Sequence, residues 1–284
     1  MNPSAPEAPA MNPIEKALTA RGVKLPPSPV SFNALLRDAG VAKSYVIAMT
    51  GRCGSTWLAT SLSQIPTAGE PMEYFSEEGL KHYGTVPATG DFKEFIVSII
   101  KAYKTGSTFG FKIDGLRLSW IERLLDFNTG SSDHFPSWVD MRRRNIVKQA
   151  MSFARAKKSG LWHLTEGVRP GIPSEDVEVT DESIWREIEA IMRSEIVLDL
   201  QHSGSGQNPL RLVYEDLLDS RDQVIFRVLH HVLGRIVPFE KIEDRTRKLQ
   251  SKGMDPREIR FCAENIERLA SVYRQRTSTA IVRS

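Results

Sequence analysis

Short apolar runs alternate along the chain with longer stretches whose apolar residues recur every three or four positions. The run at 45–49 is too short for a helix and too continuous for a half-exposed strand, and further short strands are expected at 109–113, 138–141 and 210–214. These read as the buried strands of a parallel sheet. Helical spacing predicts helices near 31–40, 92–104, 146–158, 182–201, 221–233 and 256–274. A further helix opens at Ser55, with Leu58, Leu62 and Ile65 on one face until Pro66 ends it. Strands alternating with helices predict a three-layer α/β domain around a central, mainly parallel sheet.

Residues 1–30 hold seven of the 16 prolines and read as a flexible arm with at most a short helix at 14–21. That leaves residues 31–284 as one domain, long enough at 40% hydrophobic to bury a substantial core. Segment 167–180 reads as a long loop and 203–208 as a tight, solvated turn. The net charge of +3 suits a small anionic ligand without excluding larger ones. Two cysteines, Cys53 and Cys262, exclude a disulfide framework and a four-cysteine zinc site, and the six histidines show no zinc-ligand spacing. No apolar stretch approaches the roughly 20 residues that span a bilayer. No basic segment followed by an apolar core opens the chain, so the expected location is cytoplasmic.

The candidate chemistry begins with "TGRCGST", residues 50–56, between the first strand and its helix. Ligands of such sheets bind beyond the carboxyl ends of the strands. Gly51 and Gly54 let the backbone approach an anion, the amides opening the helix point at it, Arg52 adds charge, and Ser55 and Thr56 add hydroxyls. A plain strand-to-helix turn with a capping serine would need no ligand. Spacing rejects a nucleoside triphosphatase loop, because the glycines are three apart and no lysine precedes Ser55. A cysteine phosphatase needs an arginine six positions after its nucleophile, where this chain has Ala59, so Cys53 reads as a small loop residue.

A second basic group follows the strand at 138–141. Arg142, Arg143 and Arg144 precede a helix carrying Ser152, Arg155, Lys157 and Lys158. Arginine forks at a strand's carboxyl end, with a serine one to two helical turns on, suit a second anion in the same crevice. The alternative is a solvated basic face. The cluster lacks the interleaved aromatics of a nucleic-acid binder.

"TGRCGST", "GEPMEYF" and "RRRNIVKQAMSFARAKKSGLW", in that order, together with "FGFKI" and "LVYEDLL", carry a resemblance. Over residues 43–235 the chain resembles the P-loop-like sulfotransferases that use 3′-phosphoadenosine 5′-phosphosulfate (PAPS), in the bacterial branch typified by trehalose 2-sulfotransferase. The resemblance implies a three-layer P-loop-like fold and metal-independent sulfuryl transfer from PAPS to a carbohydrate or glycolipid hydroxyl. A homodimer is compatible with that branch. Gly51, Arg52, Cys53, Gly54, Ser55 and Thr56 would hold the 5′-phosphosulfate. Arg143 or Arg144, with Ser152, would hold the 3′-phosphate. Glu73 or Glu70 would face the acceptor hydroxyl, with Glu73 preferred because Glu70 precedes Pro71 and could serve the turn. Lys112 and Arg52 would steady the leaving group, and Trp162 closes the helix segment.

The chain departs from that branch in three places. Cys53 replaces a small serine, 165–205 lacks an aromatic-rich acceptor segment, and beyond 240 only Lys252 and Gly253 suggest a phosphate contact. Two other functions fit parts of the sequence. An ATP-dependent small-molecule kinase would need a magnesium carboxylate, for which Asp114 is the candidate. A nucleotide-binding module without chemistry would need no base at all. If neither glutamate serves, His163 is the next candidate base.

Overall fold

The computed structural model describes residues 10–128, 136–162, 177–204, 206, 208–240, 242–243 and 255–278. The described chain enters through helix α1 (Pro13–Ala20), closed at its start by a reciprocal cap. The Asn12 side chain accepts from the Glu15 amide, and the Glu15 carboxylate accepts from the Asn12 amide. Ile14 and Leu18, one turn apart, are fully buried. From Asn12 onward, then, the proline-rich start packs onto the protein rather than standing off as an arm. A capped turn with two large apolar residues on one face gains more by burial than by staying solvated.

Next come β1 (Val30–Ser31), α2 (Phe32–Asp38), β2 (Lys43–Met49), α3 (Ser55–Leu62), α4 (Glu77–His82), α5 (Phe92–Tyr103) and β3 (Thr108–Asp114). They are followed by α6 (Gly115–Ile121), β4 (Leu125–Asp126), β5 (Ser137–Arg142), α7 (Ile146–Ser159) and α8 (Asp181–Gly204). The last described elements are β6 (Leu210–Val213), α9 (Tyr214–Asp219), α10 (Arg221–Leu233), α11 (Pro256–Glu264) and α12 (Ile266–Ser278).

The main sheet runs β3-β2-β5-β6 with every pair parallel. Strands β1 and β4 form a separate two-residue parallel pair. Along β2 the side chains alternate between two cores. Val46 and Ala48 join Phe111, Ile113 and Trp138 beneath α2 and α5. Tyr45, Ile47 and Met49 join Val139, Met141 and Leu212 beneath α3 and α10. Helices on both faces of a parallel sheet give the expected three layers. A third apolar cluster ties α7 and α8 to α11 and α12 through Ile146, Ile184, Ile188, Phe261 and Leu269.

From β2 the chain moves to β3 on one side, then crosses back to β5 on the other. The carboxyl end of β2 is therefore the switch point of the sheet, where a crevice opens.

The helix expected over 256–274 is two helices, broken at Asn265. The Asn265 side chain explains the break: its Oδ1 accepts from the Trp185 indole at 3.1 Å and its Nδ2 donates to the Phe261 carbonyl at 3.0 Å. Helices α4, α6 and α9 were not foreseen, because six or seven residues are too few to show a period. The turn expected at 203–208 begins later, since α8 runs to Gly204. His163, Lys252, Gly253 and most of 167–180 lie outside the described residues.

Candidate active site

The loop between β2 and α3 curls through two left-handed residues, Arg52 (φ 64°) and Gly54 (φ 91°). Backbone of this kind forms the concave surface that binds anions. Its glycines are required by what surrounds them. A β-carbon on Gly54 would come within 2.3 Å of the Tyr214 ring, and one on Gly51 within 2.7 Å of the Phe153 ring. Gln149 of α7 also holds the loop, its Nε2 donating to Thr50 Oγ1 at 2.8 Å and to the Gly51 carbonyl at 2.7 Å. Cys53 is fully buried, and burial pushes its thiol above the ordinary range. That is a packing residue, not a nucleophile.

The two loop hydroxyls diverge. Ser55 Oγ is buried and donates to the Met49 sulfur, whereas Thr56 Oγ1 accepts from the Lys112 ammonium at 2.9 Å. Lys112 sits on β3 beside the loop strand and is 4% exposed. Its ammonium also lies 2.8 Å from Glu73 Oε1. The segment carrying Glu73 is anchored to the sheet, because the Lys112 amide donates to the Met72 carbonyl at 3.0 Å. Tyr74 stacks on Tyr103 and Phe109 on the far side. Glu73 keeps a third of its side chain open to solvent. Glu70 is exposed, and its side chain makes no hydrogen bond or ion pair among the described residues. Its carbonyl accepts from the Tyr74 hydroxyl, so Glu70 serves the turn. The structure thus brings Glu73, Lys112 and Thr56 together and leaves Glu70 apart.

On the other side of the loop the three arginines separate. Arg142 is buried and bonded to Asp140 at 2.8 Å and Asp199 at 2.6 Å, which makes it a structural ion. Arg143 is also buried and lies over the Tyr214 ring, 4.9 Å from its centroid. Arg144 turns away: its side chain is 64% exposed and pairs with Asp216. Past the end of β5, Arg143 faces Tyr214 and the loop while Arg144 faces outward.

Arg52 reaches the same place from the loop. Its Nε donates to Ser152 Oγ at 3.0 Å, and its guanidinium donates to the Trp162 carbonyl, both neutral acceptors. Burial lowers its pKa, and the nearby Arg143 cation lowers it further. Burial also lowers that of Arg143, against the opposing pull of Tyr214 and Glu215. Two largely desolvated cations, one lowering the pKa of the other, are an arrangement an anion relieves.

The remaining basic residues are occupied elsewhere, Arg155 by Asp255 and Lys157 by Glu187. Asp114, the magnesium candidate of the kinase reading, caps α6 through the Leu116 and Arg117 amides and pairs with the Arg117 guanidinium. Among the described residues no group of three or more His, Cys, Asp or Glu is arranged to hold a metal ion.

Gln149, Phe153, Tyr214 and Glu215 were missed as site residues. Glu215 accepts from the Arg144 and Asn145 amides and so fixes the turn into α7. All four lie inside the "QAMSF" and "LVYEDLL" segments, so the signal was present as motif without a role attached.

A search of the curated proteins finds no match. Among protein families, residues 128–264 match the model described as Stf0 sulphotransferase. The match begins after the loop and Glu73, takes in Arg143, Ser152 and Tyr214, and continues through α11, further than the motifs reached. Over residues 128–264, a little under half of its length, the chain is therefore similar to the Stf0 sulphotransferases, and that likeness supports sulfotransferase activity.

Proposed function

We propose that the protein is a sulfotransferase that takes its sulfuryl group from PAPS and passes it to a hydroxyl of a carbohydrate or glycolipid, with Glu73 as general base, in the cytoplasm. The observation that carries the reading is that one loop is flanked by two unlike groups. Arg52, Arg143 and Ser152 stand on one side, and Thr56, Lys112 and Glu73 on the other. Within the first group Arg143 and Ser152 suit the 3′-phosphate, and Arg52, carried by the loop itself, suits the 5′-phosphate. The second suits a reacting sulfuryl group, its leaving phosphate and an incoming hydroxyl.

In this reading the acceptor oxygen attacks sulfur in line. The bond between sulfur and the 5′-phosphate oxygen breaks as the new sulfur–oxygen bond forms, and 3′,5′-bisphosphoadenosine leaves. The acceptor proton passes to the Glu73 carboxylate, late in the transfer, because a sugar hydroxyl is weakly acidic. Lys112, Arg52 and the loop amides stabilise charge gathering on the departing phosphate. Fixed cations are enough for this, because the transferred group carries one negative charge. Arg143 is the residue assigned to the 3′-phosphate, since it shares the crevice with Arg52 while Arg144 is paired outside.

The test is incubation with sulfur-labelled PAPS and a panel of glycans and extracted lipids. Label recovered in a glycan or glycolipid supports the reading. Tight donor binding with no transfer to any acceptor favours the non-catalytic module, and transfer from labelled ATP in its place favours the kinase.

A further inference from the structure

The turn from β5 into α7, which carries Arg143, is held from a part of the chain that neither the motifs nor the family match reaches. Arg276 lies on α12, beyond the match that ends at residue 264. Its side chain is buried and hydrogen-bonds to three described residues, Glu195, Arg143 and Arg144. Two of these bonds form a fork on the Glu195 carboxylate of α8, from Nε at 2.9 Å and Nη2 at 2.8 Å. Nη1 donates to the Arg144 carbonyl at 3.0 Å, and Nη2 donates to the Arg143 carbonyl at 2.7 Å.

Two consecutive carbonyls at the end of a strand, past the last ladder bond, need partners when buried. Here one planar guanidinium supplies both, and Glu195 neutralises its charge. The amides of the same turn are held from the opposite direction, because Glu215 of α9 accepts from Arg144 and Asn145. With the peptide planes on both sides of Arg144 fixed, the Arg143 side chain leaves the backbone in one direction, over Tyr214 and toward Arg52. A loose turn would let that guanidinium swing away, at a cost in geometry rather than in charge.

We propose that Arg276, braced by Glu195, is a positioning residue that aims Arg143 and thereby sets the preference for a 3′-phosphorylated nucleotide. The selectivity half of this inference rests on the assignment of Arg143 to the 3′-phosphate; the clamp on the turn does not.

The experiment uses the full chain with Arg276→Lys, and with the charge-neutral pair Arg276→Met and Glu195→Gln in case the single variant folds poorly. Amide hydrogen exchange without nucleotide reads the clamp. Exchange at Arg144 and Asn145 is expected to quicken at least about tenfold, while the β2 amides stay unchanged. Calorimetry reads the aim: affinity for 3′,5′-bisphosphoadenosine is expected to fall about tenfold, with affinity for adenosine 5′-monophosphate unaltered. Unchanged exchange at Arg144 and Asn145 overturns the clamp. A folded variant with wild-type discrimination between the two nucleotides overturns the aiming role. Wild-type protein that binds both nucleotides equally, or Arg143→Ala that keeps the discrimination, overturns the 3′-phosphate assignment and the selectivity half with it. The exchange result still decides the clamp.

Discussion

The Glu73 carboxylate lies 2.8 Å from the Lys112 ammonium, and that ammonium also touches Thr56 at the start of α3. One buried cation thus links the anion loop to the carboxylate proposed for the acceptor. Lys112 is held by its strand and Glu73 by the Met72 bridge to that strand, so their separation is set by sheet geometry and not by a mobile loop. Placement of this kind is what transfer between two bound partners requires.

If Glu73 takes the acceptor proton, Glu73→Gln should lower turnover about 10²–10⁴-fold and leave PAPS affinity nearly unchanged. Glu70→Gln is the internal control and should stay close to wild type, because Glu70 is exposed and contributes its carbonyl to the turn. Steady-state kinetics with calorimetric donor binding separates the two. Loss of binding and turnover together in Glu73→Gln would instead mark a structural partner of Lys112.

Gly54→Ala tests whether the aromatic wall fixes the loop. The new methyl meets the Tyr214 ring at a residue with φ of 91°, so both sterics and backbone oppose it. A cost of about 2–5 kcal/mol is expected from overpacking plus left-handed strain, together with loss of nucleotide binding. Thermal denaturation checks the first and calorimetry the second. An unchanged melting temperature would mean that Tyr214 does not press on the loop.

Stability should also fall in mild acid. His202 is buried against the Trp138 ring and faces Asp140 at 3.9 Å, with Arg142, Asp199 and Arg211 nearby. Burial depresses its pKa below the ordinary 6.5, Asp140 and Asp199 opposing and Arg142 and Arg211 assisting. Between the unfolded value and the lower folded one, the unfolded chain binds more protons, so stability rises with pH there. It is therefore fully present above about pH 6.5 and drains away as pH falls toward the folded pKa. His202→Gln should flatten the slope of urea-measured stability below that pH. His231, whose pKa burial also lowers, keeps a residual slope. An unaltered slope would exclude His202 as a source.

The parts of the fold that were legible in the sequence are those whose local pattern and burial agree. The run at 45–49 lies within β2, a strand covered on both faces and apolar throughout that stretch, and 109–113 lies within β3, where Lys112 is the polar exception. The loop at Gly51 and Gly54 was legible from its glycines, but not the reason for them, because Phe153 and Tyr214 arrive from 100 or more residues away. Counting from Ser152 could not choose between Arg143 and Arg144. In the fold Arg143 faces Tyr214 and Arg144 faces outward, on a turn whose backbone is bonded by Glu215 and Arg276 from distant segments. The short helix at 14–21 was legible as α1, but not its packing, which rests on Ile14 and Leu18 buried on one face.

The most direct test of the account is the choice of nucleotide, because a loop without the triphosphatase lysine, facing Arg143 and Ser152, is read as a grip on a nucleotide phosphorylated at both the 5′ and 3′ positions. Melting temperature is measured with saturating 3′,5′-bisphosphoadenosine and, separately, with ATP and magnesium. A ligand that binds only the folded protein raises it by about RT ln(1 + [L]/Kd), so the two shifts rank the affinities. A clear upward shift with 3′,5′-bisphosphoadenosine and little or none with ATP and magnesium is the result predicted. Equal stabilisation by both, or a larger shift with ATP and magnesium, would contradict the account.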